Sequence, residues 1–182
     1  LTEKDLEILK VHDIFIAQAV DSNMNNGLNV GNISKFISEG IKTTVGTDGM
    51  HPSTMKALKN SNIFTKYLNK NCDLGYPEMN ALFLNNFKLK KAFGLPLGVI
   101  EGETADIAIF DYEPTTPFDT DQFLGHFIFG ITESRCQYVV KNNEILLDDY
   151  HVTKDLYKDL FERSWEISEA MFERFEDNKG KY

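Results

Sequence analysis

Ile41-Lys-Thr-Thr-Val-Gly-Thr-Asp48-Gly49 is the stretch on which the fold turns. Residues 41–46 are a short β-branched run, the pattern of a strand buried on both faces of a parallel sheet. The run passes directly into a carboxylate and then a glycine. Towards the N-terminus, Ile14-Phe-Ile-Ala-Gln-Ala-Val20 is a second run of the same kind. Between the two, Asp21–Gly27 has the composition of a polar loop. Asn32–Glu39 reads as a short helix, with Ile33, Phe36 and Ile37 at helical spacing and Gly40 just past its end. Leu1–Val11 reads as an amphipathic helix with Thr2 as its N-cap. Beyond Gly49, Ser53–Leu68 predicts a helix and Pro77–Phe93 one or two more. Helix, strand, helix, strand, helix is the rhythm of a parallel sheet with right-handed crossovers. Two parallel strands cannot stand alone, because both faces and both edges need cover. Their neighbours must come from elsewhere.

The character changes near Leu95. Gly94-Leu-Pro-Leu-Gly98 and Glu101-Gly-Glu103 are turn clusters. Ala105–Asp111 alternates and predicts a strand, and Asp121–Phe129 a short helix. Arg135–Leu147 reads as a hairpin about Asn142-Asn143, two residues that accept positive φ in a type I′ turn. Thr153–Glu176 predicts a long charged helix that contains Leu156, Leu160, Trp165, Ile167, Met171 and Phe175. The expected divisions are residues 1–94, 95–149 and 150–182. The first residue is Leu1, not Met, within an apparent helix, so a piece of a longer protein is expected.

Composition removes whole classes of function. The 182 residues include 28 acidic and 19 basic side chains, for a formal charge of −9. That balance argues against a general nucleic-acid binder, which needs a basic face. At 42% hydrophobic the chain can pack a core. No apolar run approaches the roughly 18 residues of a membrane span, so no membrane partner is expected. The charged opening lacks the form of a secretion signal. Cys72 and Cys136 lie far apart, outside any CxxC spacing, as suits reduced thiols in a cytoplasmic protein.

The chemistry gathers at the strand ends. In a parallel α/β barrel, the C-terminal ends of the strands build the active site. Asp48 at such an end can ligate a metal or move a proton; the plainer reading is a turn aspartate that caps the next helix. Ser22-Asn-Met-Asn-Asn26 follows the earlier strand, so Ser22 and Asn23 could line a substrate cavity, or the loop could satisfy its own backbone. His51 lies three residues beyond Asp48 and shares its strand end. His12, His126 and His151 read as surface or packing residues. No HxH or HExxH spacing, glycine-rich phosphate loop or nucleophile elbow is present.

Thr47-Asp48-Gly49, followed about fifty residues later by Leu97-Gly-Val-Ile-Glu-Gly-Glu-Thr-Ala-Asp106-Ile-Ala-Ile-Phe-Asp111, resembles the metal-dependent amidohydrolase superfamily. The second phrase is similar to that superfamily's return from barrel to β-sandwich. Ser22–Asn26, Gly46–Met50, Pro114-Thr-Thr-Pro117 and Gly125–Ile131 resemble its aminohydrolase branch, beside the cytosine, guanine and chlorotriazine deaminases. The resemblance is collinear from residue 1 to about 176.

The resemblance implies the C-terminal fragment of a (β/α)8 TIM barrel, its last two βα units, and the C-terminal part of a composite β-sandwich. Asp48 would be the strand-eight aspartate, both metal ligand and proton carrier. Ser22, Asn23 and His51 would face a small nitrogen-containing substrate. One divalent metal, zinc or iron, would belong to the full-length protein, with none held by this piece alone. The HxH pair and the single histidines that complete the superfamily's ligand set have no counterpart here. They would lie in the missing N-terminal part of the barrel, the fragment's first partner. Homo-oligomers are also expected. Two segments depart from the family pattern: Gln18-Ala-Val20 replaces His-Asn-Pro before Ser-Asn, and Met50-His-Pro-Ser53 replaces Ser-Asn-Asn after Asp-Gly. The rival expectation is a non-catalytic interaction or regulatory domain built on the same fold end. A redox or nucleotide-binding α/β domain lacks its glycine-rich loop.

Overall fold

A computed structural model describes residues 2–154 and 159–179. Helix α1 (Glu3–Val11) starts at a capping box. Asp5 N donates to Thr2 Oγ1 at 3.3 Å, and Thr2 N donates back to the Asp5 carboxylate at 2.6 Å. Strands β1 (Phe15–Gln18) and β2 (Lys42–Val45) are parallel neighbours, in register from Phe15 opposite Lys42 to Gln18 opposite Val45. Among the described residues no third strand joins them.

Helices cover this pair: α2 (Val20–Asn25), α3 (Ile33–Ser38), α4 (Thr54–Asn69) and α5 (Tyr76–Ala92). The main core joins Val20, Ile33, Leu58, Met79 and Leu82 to Phe127 and Ile128 of α6 (Phe123–Phe129). A smaller cluster, Leu6, Phe36 and Ile41, seats α1. Glu78 is buried, yet satisfied: it accepts from Gly75 N and from Ser34 Oγ, each at 2.7 Å. α5 also guards the outer edge of β2. Asn86 Oδ1 accepts from Val45 N at 3.1 Å, and Asn85 Nδ2 donates to Thr43 O at 2.9 Å. Two asparagine amides thus stand where a further strand's backbone would pair.

The second sheet is separate and antiparallel, in the order β3 (Asp106–Asp111), β4 (Arg135–Lys141), β5 (Glu144–Asp148), β6 (His151–Val152). Asn142 and Asn143 take φ of 51° and 63° at the β4–β5 turn, as their sequence predicts. Asp106 ties this sheet to α5: its carboxylate lies 2.9 Å from Lys141 Nζ and 3.6 Å from Lys90 Nζ. Both lysines hold the Asp106 carboxyl below its ordinary range, the Lys141 hydrogen bond most of all.

Three expectations need correction. Residues 21–25 belong to α2 rather than to a loop. Asparagine and serine are weak helix formers, but buried Val20 anchors the first turn and Gly27, at φ 65°, closes the last. β6 went unread because a two-residue strand carries no period; a turn at Asp149 and Tyr150, φ 44° and 67°, creates it. The terminal helix starts at Leu160, as α7 (Leu160–Asp177), and Thr153 instead donates its N–H to Leu146 O at 3.1 Å. Leu156 lies outside the described residues. Leu160, Trp165, Ile167, Met171 and Phe175 lie within α7, and all are exposed. Both cysteines are free. Among the described residues no helix is long and apolar enough to cross a membrane.

Candidate functional site

β1 and β2 run side by side in the same direction, so the segments after them emerge at the same end of the sheet. α2 follows β1 after one residue, and its first turn carries Asp21 and Ser22, both buried. Asp48 follows β2 after two residues. Its φ is +49°, a left-handed conformation that costs a non-glycine residue about 1–2 kcal/mol and that aspartate tolerates better than most. In that conformation its exposed carboxylate turns back to the neighbouring strand end. Ser22 Oγ donates to Asp48 Oδ2 at 2.6 Å. Asn26 Nδ2 donates in turn to Ser22 Oγ, at 3.4 Å. Asp48 Oδ1 has no hydrogen-bond partner among the described residues.

His51 is brought to the same place with a different partner. Its Nε2 lies 2.5 Å from Asp21 Oδ2. Ser53 N–H donates to His51 Nδ1 at 3.3 Å. A backbone N–H can only donate, so Nδ1 is the unprotonated nitrogen and Nε2 donates to Asp21. Ser53 then caps α4 by accepting from Lys56 N at 3.3 Å. The loop 47–53 is therefore tied to consecutive residues of α2 and to the start of α4.

Of the residues singled out in the sequence, the structure brings together Ser22, Asp48 and His51. Asn23 points elsewhere: its Nδ2 donates to Asn29 O at 3.4 Å, and it lines a cleft of about 520 Å³ with Gln18, Val30 and Phe36. Asp21 is the member that sequence reading missed. It stood inside a supposed loop, and only the helical first turn aims it at His51. Of the other histidines, His126 is a packing residue: Tyr112 Oη lies 2.5 Å from its Nδ1, and its Nε2 donates to Pro117 O at 2.9 Å. His12 and His151 are exposed.

The donor set can be weighed against a metal. Among the described residues no three His, Cys, Asp or Glu side chains gather closely enough to hold an ion. A catalytic zinc takes three protein ligands. Asp48, with one oxygen uncommitted, fits a single ligand position; the described residues do not make a centre by themselves.

Comparison with known proteins follows this geometry. A sequence profile of the amidohydrolase family matches residues 1–146. The chain is 25% identical over 177 residues to the 5'-deoxyadenosine deaminase of Methanocaldococcus jannaschii, covering 95% of this chain and 41% of that protein. It is 26% identical over 158 residues to a 5-methylthioadenosine/S-adenosylhomocysteine deaminase of Halothermothrix orenii, covering 84% and 37%. The crystal structure of an adenosine deaminase from Xanthomonas campestris with bound zinc superposes with a TM-score of 0.72 at 14% identity, over 92% of this chain and 40% of that one. The chain thus spans about two fifths of the length of the curated relatives it matches.

Proposed function

Because this chain belongs to the amidohydrolase family, we propose that it is the C-terminal part of a metal-dependent hydrolase that cleaves C–N bonds outside peptides, of the aminohydrolase type. The observation that carries this is the 2.6 Å hydrogen bond from Ser22 Oγ to Asp48 Oδ2, which joins the C-terminal ends of two adjacent parallel strands. The relatives named above are deaminases of adenosine derivatives, and they support a small aminated substrate of nucleoside type.

In this reading residues 1–94 are the last βα units and closing helices of a (β/α)8 barrel. Residues 95–149 are the C-terminal share of a β-sandwich, and 150–182 the terminal helix. The rest of the barrel supplies the other metal ligands. When bound, a divalent zinc or iron would lower the pKa of a coordinated water from its bulk value towards about 7. Asp48 Oδ1 takes the proton of the attacking water and delivers it to the leaving nitrogen, so that ammonia departs and oxygen replaces the amine. Ser22 holds Asp48 Oδ2 and thereby turns Oδ1 to the reacting side. The chain alone, with one carboxylate ligand, is expected to be inactive and metal-free. A cytoplasmic setting and a homo-oligomeric whole protein belong to the same reading.

The test is ammonia release from aminated nucleosides by the zinc-loaded complete protein. Release that requires Asp48 supports the reading; a correctly folded, metal-replete protein with no hydrolytic activity on any amine overturns it. That outcome would favour the second reading, a non-catalytic interaction domain. The exposed apolar side chains of α7 speak for it.

A further inference from the structure

Two short segments flank the strand-end residues, 18–20 before Ser22-Asn23 and 50–53 after Asp48-Gly49. In the folded chain the ends of these two segments meet. Asp21, next to the first, lies 2.5 Å from His51 in the second. The pair is well enclosed: the side-chain exposure is 7% for Asp21 and 20% for His51.

Asp48 sits between these attachments. Its left-handed φ is not compelled by packing, since Gly49 beside it faces open space and Asp48 itself is exposed. A short turn, Met50 N to Thr47 O at 3.3 Å, brings His51 back towards the sheet. His51 then spends both ring nitrogens on structure, one on Asp21 and one on Ser53. Neither nitrogen is left for a substrate. Asp21 and Ser22 are consecutive in one helical turn, so fixing His51 on Asp21 sets how far the loop stands from Ser22.

We propose that Asp21 is a positioning residue: acting through His51, it holds the 47–53 loop so that the Asp48 carboxylate meets Ser22. The proposal rests on the reading of Asp48 as the site carboxylate, but its structural half stands or falls separately. His51 is thereby a tether and not a substrate-binding residue.

The experiment is amide hydrogen exchange on the 182-residue chain, with imidazole nitrogen NMR of His51. Wild type should show His51 protonated at Nε2. Asp21→Ala should raise exchange across residues 49–54 by about tenfold or more, as expected when a tethered segment opens locally. Exchange in β4 and in the second half of α4 should stay unchanged, which reports an intact fold. His51→Ala should act alike, and the double variant should add nothing further. His51→Gln keeps an amide N–H for Asp21 and should restore most of the protection. A proton on Nδ1, loop exchange within twofold of wild type in both alanine variants, or additive effects would overturn the tether. Should Asp21→Ala fail to fold, His51→Ala against His51→Gln decides alone.

In the complete enzyme, Asp21→Ala should lower kcat by about 10–10²-fold through misplacement of Asp48, with KM within about twofold. A change in KM alone would overturn the positioning role while leaving the tether intact. If Asp48→Asn keeps full turnover although the exchange results hold, the hydrolase reading fails and the tether survives as structure.

Discussion

At the scale of single residues, Asp48 and Ser22 are the first to test. Asp48→Asn is nearly isosteric, and asparagine accepts left-handed φ as readily as aspartate. The fold should therefore survive, with a melting temperature within a few degrees of wild type. Under the proposed function the substitution removes a metal ligand and a proton acceptor at once. In the complete enzyme, ammonia release should fall at least by the roughly 10²–10⁴-fold assigned to a general base. Full turnover with normal metal content would leave Asp48 as a turn residue only. Ser22→Ala deletes the donor to Asp48 Oδ2. One lost hydrogen bond to a charged group costs about 1.5–3 kcal/mol when enclosed, and less here because Asp48 faces solvent. Urea unfolding should show a loss at or below the bottom of that range, while turnover in the complete enzyme falls more than this stability change suggests.

Among the elements, α5 and β3 carry distinct loads. Asn86→Ala strips the acceptor from Val45 N at the outer edge of β2. A half-buried N–H left unpartnered costs about 1–3 kcal/mol, so the urea midpoint should drop, and exchange at Val45 should quicken. An unchanged midpoint would mean that water or another group replaces Asn86 at no cost. At β3, Lys141 and Lys90 keep the Asp106 carboxyl below its ordinary value of 3.8. The folded pKa is thus below the unfolded one. The contribution of Asp106 is complete above the ordinary value and is lost as pH falls through the folded pKa. Wild type should lose thermal stability on acidification below about pH 4, where unfolded carboxylates begin to take up protons, and Asp106→Asn should lose less over that window. Parallel acid slopes in the two proteins would contradict this.

For the molecule as a whole, the chief feature is apolar surface without cover. α7 exposes Phe161, Trp165, Phe172 and Phe175 at 79, 72, 62 and 67%. Among the described residues β1 and β2 make a two-stranded sheet, guarded by α5 along β2. The edge of β1 that no described strand pairs and an apolar helix face both favour association. Sedimentation velocity on the 182-residue chain should show concentration-dependent self-association, reduced by Trp165→Glu with Phe172→Glu. A stable, monodisperse monomer with cooperative unfolding would contradict the expectation of missing neighbours.

The parallel pair, the helices around it other than α2, the Asn142-Asn143 hairpin and the carboxylate at the end of β2 were legible in the sequence alone. Each rests on local causes: β-branched runs, caps such as Thr2 and Ser53, and residues that accept positive φ. The complaint that two parallel strands lack neighbours was also available, because it needs only the chain's own count of strands. What the sequence could not show depends on contacts between distant segments. Residues 20–25 have little helical propensity and become helical because Val20 is buried in the core. Asp21 gains a role only because that helical turn points it at a histidine thirty residues away. Asn23 was grouped with Ser22 by adjacency, yet their side chains diverge, one to Asp48 and the other to Asn29. Neighbours in sequence share a backbone but not a direction. The sequence by itself determined where a carboxylate and a hydroxyl leave the sheet; which side chains face one another there was decided by the tertiary fold, since a hydrogen bond depends on distances in space.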